Sequence, residues 1–285
     1  MPRTQYADRA WMLEDSVSSR LRAEEPDLWS DPNATCMTCL KEIRADLSPV
    51  FRWYNEERTE VVDWECDCLS QWIMNRYMRA AGIGDAYQRL DWPDTYAVLL
   101  DAKQAVQDYL AMAPYMVSRG VNLMLNSKDN GTGKTLLAML LAKGMLARGV
   151  RTRVVQINTL VALLSSTWKS EEQRAWFEAQ IMNVKFLVID DLGKEKSGAD
   201  EVTRDFIRRM LDRVTRSRVA NAMPTAWTSN LTDEQIQQGY GGDIADLLDE
   251  VCLRVPMNGP SFRDKQKTRT IDEAINGLCR PVVLR

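Results

Sequence analysis

The chain has 285 residues, of which 45% are hydrophobic and 27% are charged. These proportions suit a globular chain with one large domain and a small addition, and they exclude disordered and fibrous classes. The formal net charge of -3 excludes a uniformly basic nucleic-acid binder, so any DNA contact must come from local clusters. Histidine is absent, which leaves carboxylates and thiolates as candidate catalytic and metal-binding groups. We find no apolar run of membrane-spanning length and no signal-peptide core, so we expect a cytoplasmic protein without a membrane partner.

Residues 1–35 are predicted to form a helix and a linker. Apolar positions within residues 4–22 recur among charges in an approximately helical pattern, and Pro26 and Pro32 then interrupt it. By pattern alone, this helix can pack equally well on its own chain or on a partner protein.

Residues 36–83 are predicted to form a small zinc-binding module. Its candidate ligands are two close thiol pairs: Cys36 and Cys39, and Cys66 and Cys68. Four thiolates satisfy tetrahedral zinc and leave no open position for chemistry, so the predicted site is structural. The alternative is that the second pair consists of unligated thiols in a strand.

Residues 84–285 are predicted to form an α/β domain in which strands and helices alternate, as a parallel sheet requires. A helix is expected at 98–112, a strand at 121–125 and a helix at 136–148. A glycine-rich loop connects this strand to the helix that follows it. Its residues are Asn130, Gly131, Thr132, Gly133, Lys134 and Thr135, followed by Leu136. This strand, loop and helix context predicts a phosphate-binding P-loop.

The P-loop residue types suit a nucleoside triphosphate. Glycines let backbone N–H groups point at phosphates, and the following helix begins with a favourable dipole. Lys134 and Thr135 are predicted to reach the terminal phosphates and Mg²⁺. The motif usually starts with glycine where this chain has Lys128, so we expect that side chain to point away from the loop.

Two later strands are predicted to end beside the P-loop. The buried-strand pattern at 184–189 is followed by Asp190 and Asp191, which matches a Walker B strand. We predict that Asp190 orients Mg²⁺ and that Asp191 polarises the attacking water, the alternative being a turn residue. Residues 224–230 predict another strand, whose terminal Asn230 can hydrogen-bond the phosphate or the water. A helix capped by Thr232 is expected next.

Basic residues cluster in two later segments. Residues 200–218 predict an amphipathic helix, and most of its arginines are interpreted as a solvated face. They are Arg204, Arg208, Arg209, Arg213, Arg216 and Arg218. A second cluster is a candidate for non-specific contact with DNA phosphates. It consists of Arg263, Lys265, Lys267 and Arg269.

The P-loop, the segment from Val188 to Gly193 and the segment from Thr228 to Leu231 together resemble the DnaC-type helicase loaders. These are AAA+ ATPases close to the DnaA initiator and to the IstB transposition helpers. The cysteine pairs, followed by Ile83 between two glycines, also resemble phage and bacterial members, and the resemblance extends from residue 36 to about 270. It implies an AAA+ fold, a parallel sheet flanked by helices, behind a zinc-binding and helical N-terminal domain.

The resemblance also implies roles for individual residues. Asn230 would be the sensor 1 residue, Arg254 an arginine finger acting on a neighbour's nucleotide, and Arg263 a sensor 2-like arginine. Surface cations in solvent are the alternative for both arginines. Two helices predicted at 159–168 and 171–182 would correspond to the element that assembles a spiral on single-stranded DNA.

These expectations lead to a weak, assembly-dependent ATPase that uses ATP, Mg²⁺ and Zn²⁺. It would bind a DnaB-type replicative helicase, form a spiral homo-oligomer and deliver the helicase to single-stranded DNA. One alternative is an IstB-like transposition helper on duplex DNA. Another is a nucleotide-gated scaffold with little hydrolysis, because Lys128 departs from the motif and Asp191 is one methylene shorter than the usual glutamate.

Overall fold

The computed structural model describes residues 50–54, 61–65, 77–167, 170–196 and 201–276. The chain divides into two compact units. Of the described residues, the smaller unit contains 50–54, 61–65, 77–80 and 84–89, and the larger contains 81–83 and those from 90 onward. The helix predicted within residues 4–22 lies outside the described residues. So do the four predicted zinc ligands, Cys36, Cys39, Cys66 and Cys68.

The smaller unit contains a pair of antiparallel strands, β1 (Val50–Tyr54) and β2 (Val61–Glu65). Val50 pairs with Glu65 at one end and Tyr54 with Val61 at the other. A short helix, α1 (Asp85–Gln88), follows in the sequence. The predicted thiol pairs precede β1 and follow β2 in the sequence.

The larger unit is built on a five-stranded sheet in which every pairing is parallel. Its strands are β3 (Asn122–Asn126), β4 (Thr152–Gln156), β5 (Phe186–Leu192), β6 (Thr225–Ser229) and β7 (Cys252–Pro256). The spatial order is β4, β5, β6, β3, β7. The predicted parallel sheet is therefore confirmed. The strand that carries the P-loop lies between the strand ending near Asn230 and the edge strand β7.

Helices cover both faces of this sheet. They are α2 (Leu100–Ala111), α3 (Ala113–Arg119), α4 (Lys134–Ala147), α5 (Ile157–Thr167), α6 (Glu171–Phe177), α7 (Glu201–Ala220), α8 (Asp233–Tyr240), α9 (Gly242–Val251) and α10 (Arg263–Ile275). Helix α4 packs on β3, β4, β5 and β6. A buried apolar cluster that includes residues of α5, α7, α8 and α9 packs on the sheet as well. Among the described residues, we find no helix with the length and apolarity needed to span a bilayer.

Alternation along β5 divides its side chains between these two layers. Leu187 and Ile189 belong to the buried cluster that includes α7. Because successive side chains of a strand point to opposite faces, Phe186, Val188 and Asp190 face the layer that contains α4. The fold therefore directs the first Walker B carboxylate toward the helix that begins at the P-loop.

Arg218 differs from the predicted solvated arginine face, because its side chain is only 1% exposed. The guanidinium donates hydrogen bonds to four backbone carbonyls and one hydroxyl. The acceptors are Ile181 O, Met182 O and Val184 O before β5, and Pro224 O and Thr225 Oγ1 at the start of β6. Arg218 therefore links the segments at the start of β5 and β6 through hydrogen bonds, and the other ends of these two strands lie at the candidate site.

Two further predictions are modified by the structure. The single helix expected at 171–182 is divided into α6 and a π-helical turn, Glu178–Met182. In the predicted DNA-contacting cluster, Arg269 lies on α10 and pairs with the buried carboxylate of Asp94 at 2.6 Å. Arg269 therefore has a structural partner within its own chain.

Candidate nucleotide-binding site

The loop between β3 and α4 has the backbone of a phosphate-binding loop. Gly131 and Gly133 have φ angles of +77° and +96°, in the left-handed region that favours glycine. A Cβ atom at Gly131 would overlap Oγ of Ser261, so a side chain there would require that hydroxyl to move as well as an unfavourable backbone conformation. These two positions explain why the loop needs its glycines.

Lys128 replaces the first glycine of the motif without distorting the loop. Its side chain is exposed, and its φ lies outside the left-handed region. The hydroxyl of Ser127 accepts a hydrogen bond from the Asp129 N–H at 3.0 Å, which stabilises the start of the turn. The expectation that the Lys128 side chain points away from the loop is confirmed.

The Lys134 ammonium is buried inside the loop. It donates hydrogen bonds to the carbonyl of Asp129 at 2.8 Å and to the hydroxyl of Thr132 at 3.3 Å. Burial lowers the pKa of Lys134, while the charges of Asp129 and Asp191 oppose that shift. The ammonium is therefore held within the loop that would surround the phosphates.

Thr135 and Asp190, the two predicted magnesium ligands, are brought together. The Thr135 hydroxyl, in the first turn of α4, donates to Asp190 Oδ1 on β5 at 3.0 Å. Asp190 is only 2% exposed; burial raises its pKa, and hydrogen bonds from Thr228 and Thr135 oppose this shift. Hydroxyl and carboxylate oxygens are the hard ligands that Mg²⁺ prefers, so the donor set fits this ion.

Asp191 and Asn230 lie at the same edge of the sheet. The Asp191 backbone is left-handed, with φ 67°, and its carboxylate pairs with the Lys194 ammonium at 2.6 Å. The Asn230 amide donates to Oδ1 of Asn130 in the P-loop at 3.0 Å. The structure therefore brings the predicted sensor 1 residue to the phosphate loop, and its role stays a prediction.

A segment that we call the C-terminal strap, residues 257–263, lies along the P-loop. Three backbone N–H groups of the strap donate to β3 and the loop: Met257 to Asn126 O at 2.8 Å, Gly259 to Asp129 Oδ2 at 3.3 Å and Phe262 to Gly131 O at 3.1 Å. Arg263 ends the strap and begins α10, with its Cγ 3.1 Å from the position of a Cβ on Gly131. Of the strap residues, sequence reasoning assigned only Arg263 to the site.

Arg254 occupies a different environment. It lies in the middle of β7, opposite Met124. Its partly buried guanidinium pairs with Asp233 of α8 at 3.1 Å and with Asp249 of α9 at 3.7 Å. These are carboxylates of its own chain, and the predicted arginine-finger role of Arg254 stays a prediction.

The phosphate loop and the acidic strand end lie at one edge of a five-stranded parallel sheet flanked by helices. This arrangement defines an AAA+ P-loop ATPase fold. The profile of the family described as IstB-like ATP binding protein matches residues 53–270. The chain therefore belongs to the IstB-like ATP binding protein family. A comparison with curated proteins finds no match.

The chain is similar to several solved structures at low identity, and one of them, DnaI, supports the same fold. The chain is similar to DnaI at 20% identity, over 61% of this chain and 94% of that one, with a TM-score of 0.50. It is similar to the DnaC helicase loader at 18% identity, over 61% and 100% of the two chains, with a TM-score of 0.48. A DNA replication initiation factor shares 16% identity over 62% of this chain, with a TM-score of 0.45. This chain spans 50% of the length of that factor.

Proposed function

We propose that this chain is a Mg²⁺-dependent ATPase that binds a DnaB-type replicative helicase and delivers it to single-stranded DNA. The observation that carries the ATPase activity is the convergence of Lys134, Thr135 and Asp190 at one edge of the sheet. The loader role is supported by the resemblance of the P-loop and strand-end motifs to DnaC-type loaders. Self-assembly into a spiral homo-oligomer belongs to the same proposal.

The P-loop would bind the phosphates through its backbone and Lys134. The left-handed backbone at Gly131 and Gly133 gives the loop a conformation in which backbone N–H groups can point at phosphate oxygens. When phosphate binds, the Lys134 ammonium would exchange its contacts with Asp129 and Thr132 for phosphate oxygens. Thr135 and Asp190 would hold Mg²⁺, which would neutralise the charge that develops on the transferred phosphoryl group.

Asp191 and Asn230 would act on the attacking water. The carboxylate of Asp191 accepts a hydrogen bond from the water, and the amide of Asn230 orients the water or the terminal phosphate. Lys194 holds the Asp191 carboxylate in an exposed ion pair. Because exposed pairs contribute little free energy, the carboxylate can leave Lys194 at low cost. Hydrolysis would then depend on this exchange.

Two arginines are candidates for stabilising transition-state charge. Arg263 begins a helix beside the P-loop, which supports the sensor 2-like role in the same protomer. Arg254 would have to leave Asp233 and Asp249 to reach a neighbour's nucleotide. Its role as an arginine finger therefore requires an assembly in which those ion pairs break.

Substitution of Lys134 tests the nucleotide site. We expect Lys134→Ala to abolish binding of a fluorescent ATP analogue, because the buried loop ammonium is removed. Lys185→Ala is the matched control, since Lys185 is an exposed lysine before β5. Equal affinity of Lys134→Ala and the control would refute the P-loop assignment.

Co-purification tests the loader role. The full chain is combined with the DnaB-type helicase of its own host, with ATP and with an Asp190→Asn variant as the control. A nucleotide-dependent complex that transfers the helicase to single-stranded DNA is the expected result. The family match favours a second candidate, an IstB-like transposition helper. ATP-dependent binding to a transposase and duplex DNA, without helicase binding, would establish that candidate instead.

A structural zinc ion in the N-terminal part is proposed from the cysteine spacing. The candidate thiols are Cys36, Cys39, Cys66 and Cys68. The described β1 and β2 form an antiparallel pair between the two thiol pairs in the sequence. We expect about one equivalent of zinc in freshly purified reduced protein. Less than about half an equivalent by metal analysis would rule out the site.

A further inference from the structure

The pairing of β5 with β6 contains an irregularity at the two Walker B carboxylates. Ile189 pairs with Trp227, and the next pair is Leu192 with Ser229. Asp190 and Asp191 on β5 are therefore opposite the single residue between Trp227 and Ser229 on β6. This is a β-bulge, which bends a strand and re-aims side chains, often beside an active site.

The residue opposite the bulge is Thr228, whose side chain contacts both aspartates. Its hydroxyl donates to Asp190 Oδ1 at 2.6 Å and accepts from the Asp191 N–H at 2.8 Å. Thr228 is 1% exposed. A hydroxyl both donates and accepts, which valine of nearly the same shape cannot do.

We propose that Thr228 is a positioning residue that orients the metal-binding carboxylate of Asp190 and fixes the backbone of the water-activating Asp191. This inference rests on the proposed ATPase function. It extends the site from Asn230, which follows β6, to a residue within β6 that acts only through the two aspartates.

The conformation of the bulge explains why a side-chain hydroxyl is needed. The extra residue of a bulge is left out of the regular ladder, and here the Thr228 hydroxyl accepts from the Asp191 N–H. The left-handed φ of Asp191 is unfavourable for a residue with a side chain, and such strain persists only where surrounding contacts fix it. Without Thr228, the Asp191 N–H loses this acceptor. Asp190 keeps the hydrogen bond from the Thr135 hydroxyl.

The experiment compares the wild type with Thr228→Val, Thr228→Ser and Thr225→Val in the full chain. Valine removes the hydroxyl, and serine keeps it. Thr225 is the matched control because it lies on β6, is equally buried and has its hydroxyl bonded to Arg218, away from the aspartates. Two quantities are measured: the gain in affinity for a fluorescent ATP analogue when Mg²⁺ is added, and the kcat and KM of ATP hydrolysis.

We expect Thr228→Val to reduce both the Mg²⁺-dependent gain and kcat by about tenfold, with a smaller change in KM. Thr228→Ser should restore most of both. Thr225→Val should lower the Tm and leave the Mg²⁺-dependent gain and kcat within about twofold of wild type. If Thr228→Val does not fold, Thr228→Ala replaces it in the same comparison.

Two outcomes separate this inference from the proposed function. Suppose that the wild type binds and hydrolyses ATP, and that Thr228→Val has the same Mg²⁺-dependent gain and kcat as the wild type or as Thr225→Val. The positioning role is then wrong and the ATPase function stands. If the wild type binds no nucleotide, the proposed function is refuted and this inference with it.

Discussion

Replacement of Arg218 by methionine is expected to destabilise the larger unit strongly. The substitution removes the donor of the carbonyls of Ile181, Met182 and Val184, whereas Pro224 O still accepts from the N–H of Leu187 at 3.2 Å. A buried acceptor left without its donor costs about 1–3 kcal/mol, so three such carbonyls cost at least about 3 kcal/mol. The substitution also removes the buried charge of Arg218, whose desolvation destabilises the native state, and this offsets part of the loss. We expect a net loss of about 2–4 kcal/mol, a large part of the stability of an ordinary domain.

Urea unfolding followed by circular dichroism measures this loss. The matched control is Arg216→Met, on the same helix. The Arg216 side chain is 53% exposed and, within the described part of the chain, pairs with Asp212 one turn away, at 2.6 Å. Such a pair contributes about 0.5 kcal/mol or less. If the free energy of unfolding of Arg218→Met lies within about 1 kcal/mol of the wild-type value, the reasoning that three buried carbonyls depend on this guanidinium is refuted.

Three further predictions concern the loop, a buried lysine and the Asp191 ion pair. Gly131→Ala should weaken binding of a fluorescent ATP analogue by at least about tenfold. The control is Gly149→Ala, which changes an equally left-handed glycine in open space and should leave the affinity unchanged. Equal affinities of the two variants would contradict the requirement for glycine at position 131. Burial lowers the pKa of Lys143 from 10.5 to about 8. Between pH 8 and 10.5, Lys143 is protonated in the unfolded chain and largely neutral in the native chain. The free energy of unfolding therefore rises with pH across this range, by up to about 3 kcal/mol. Urea unfolding at pH 8 and at pH 10 should show a smaller rise in the free energy of unfolding for Lys143→Met than for the wild type. An identical rise would rule out Lys143 as its source. Lys194→Ala should increase kcat by about twofold or more by freeing the Asp191 carboxylate; a lower kcat would show that the ion pair supports catalysis.

Local sequence pattern predicts much of the larger unit. Apolar runs bounded by turn residues predict strands at 121–125 and 184–189, which overlap β3 and β5. Thr232 was expected to cap a helix, and its hydroxyl accepts from the Gln235 N–H at 3.3 Å at the start of α8. These predictions succeed because the signal lies within a few residues of the element.

Features that depend on distant contacts were missed or mistaken. Edge strand β7 contains the charged Arg254 between apolar residues, so no continuous apolar run marks it. Arg218 belongs to a helix rich in exposed arginines, and only the carbonyls that surround it show that it is buried. The strand order β4, β5, β6, β3, β7 likewise depends on long-range pairing that periodicity does not contain.

The candidate site also combines features that a short sequence motif predicts with features that depend on long-range contacts. The glycine and lysine spacing of the P-loop is local, and so is the acidic pair after a buried strand. The strap over Gly131 and the two hydrogen bonds of Thr228 join residues far apart in the sequence. No short motif encodes these contacts, so the structure was needed to find them.

The left-handed backbone of Asp191 has a consequence for how this chain would evolve. A glycine at that position would release the conformational cost and leave the bulge intact. It would also remove the carboxylate, so any gain in stability would come with loss of the proposed base. A descendant that needed only to bind nucleotide would be free to make that exchange. Under the proposed function, Asp191 keeps a carboxylate at a backbone position that favours glycine.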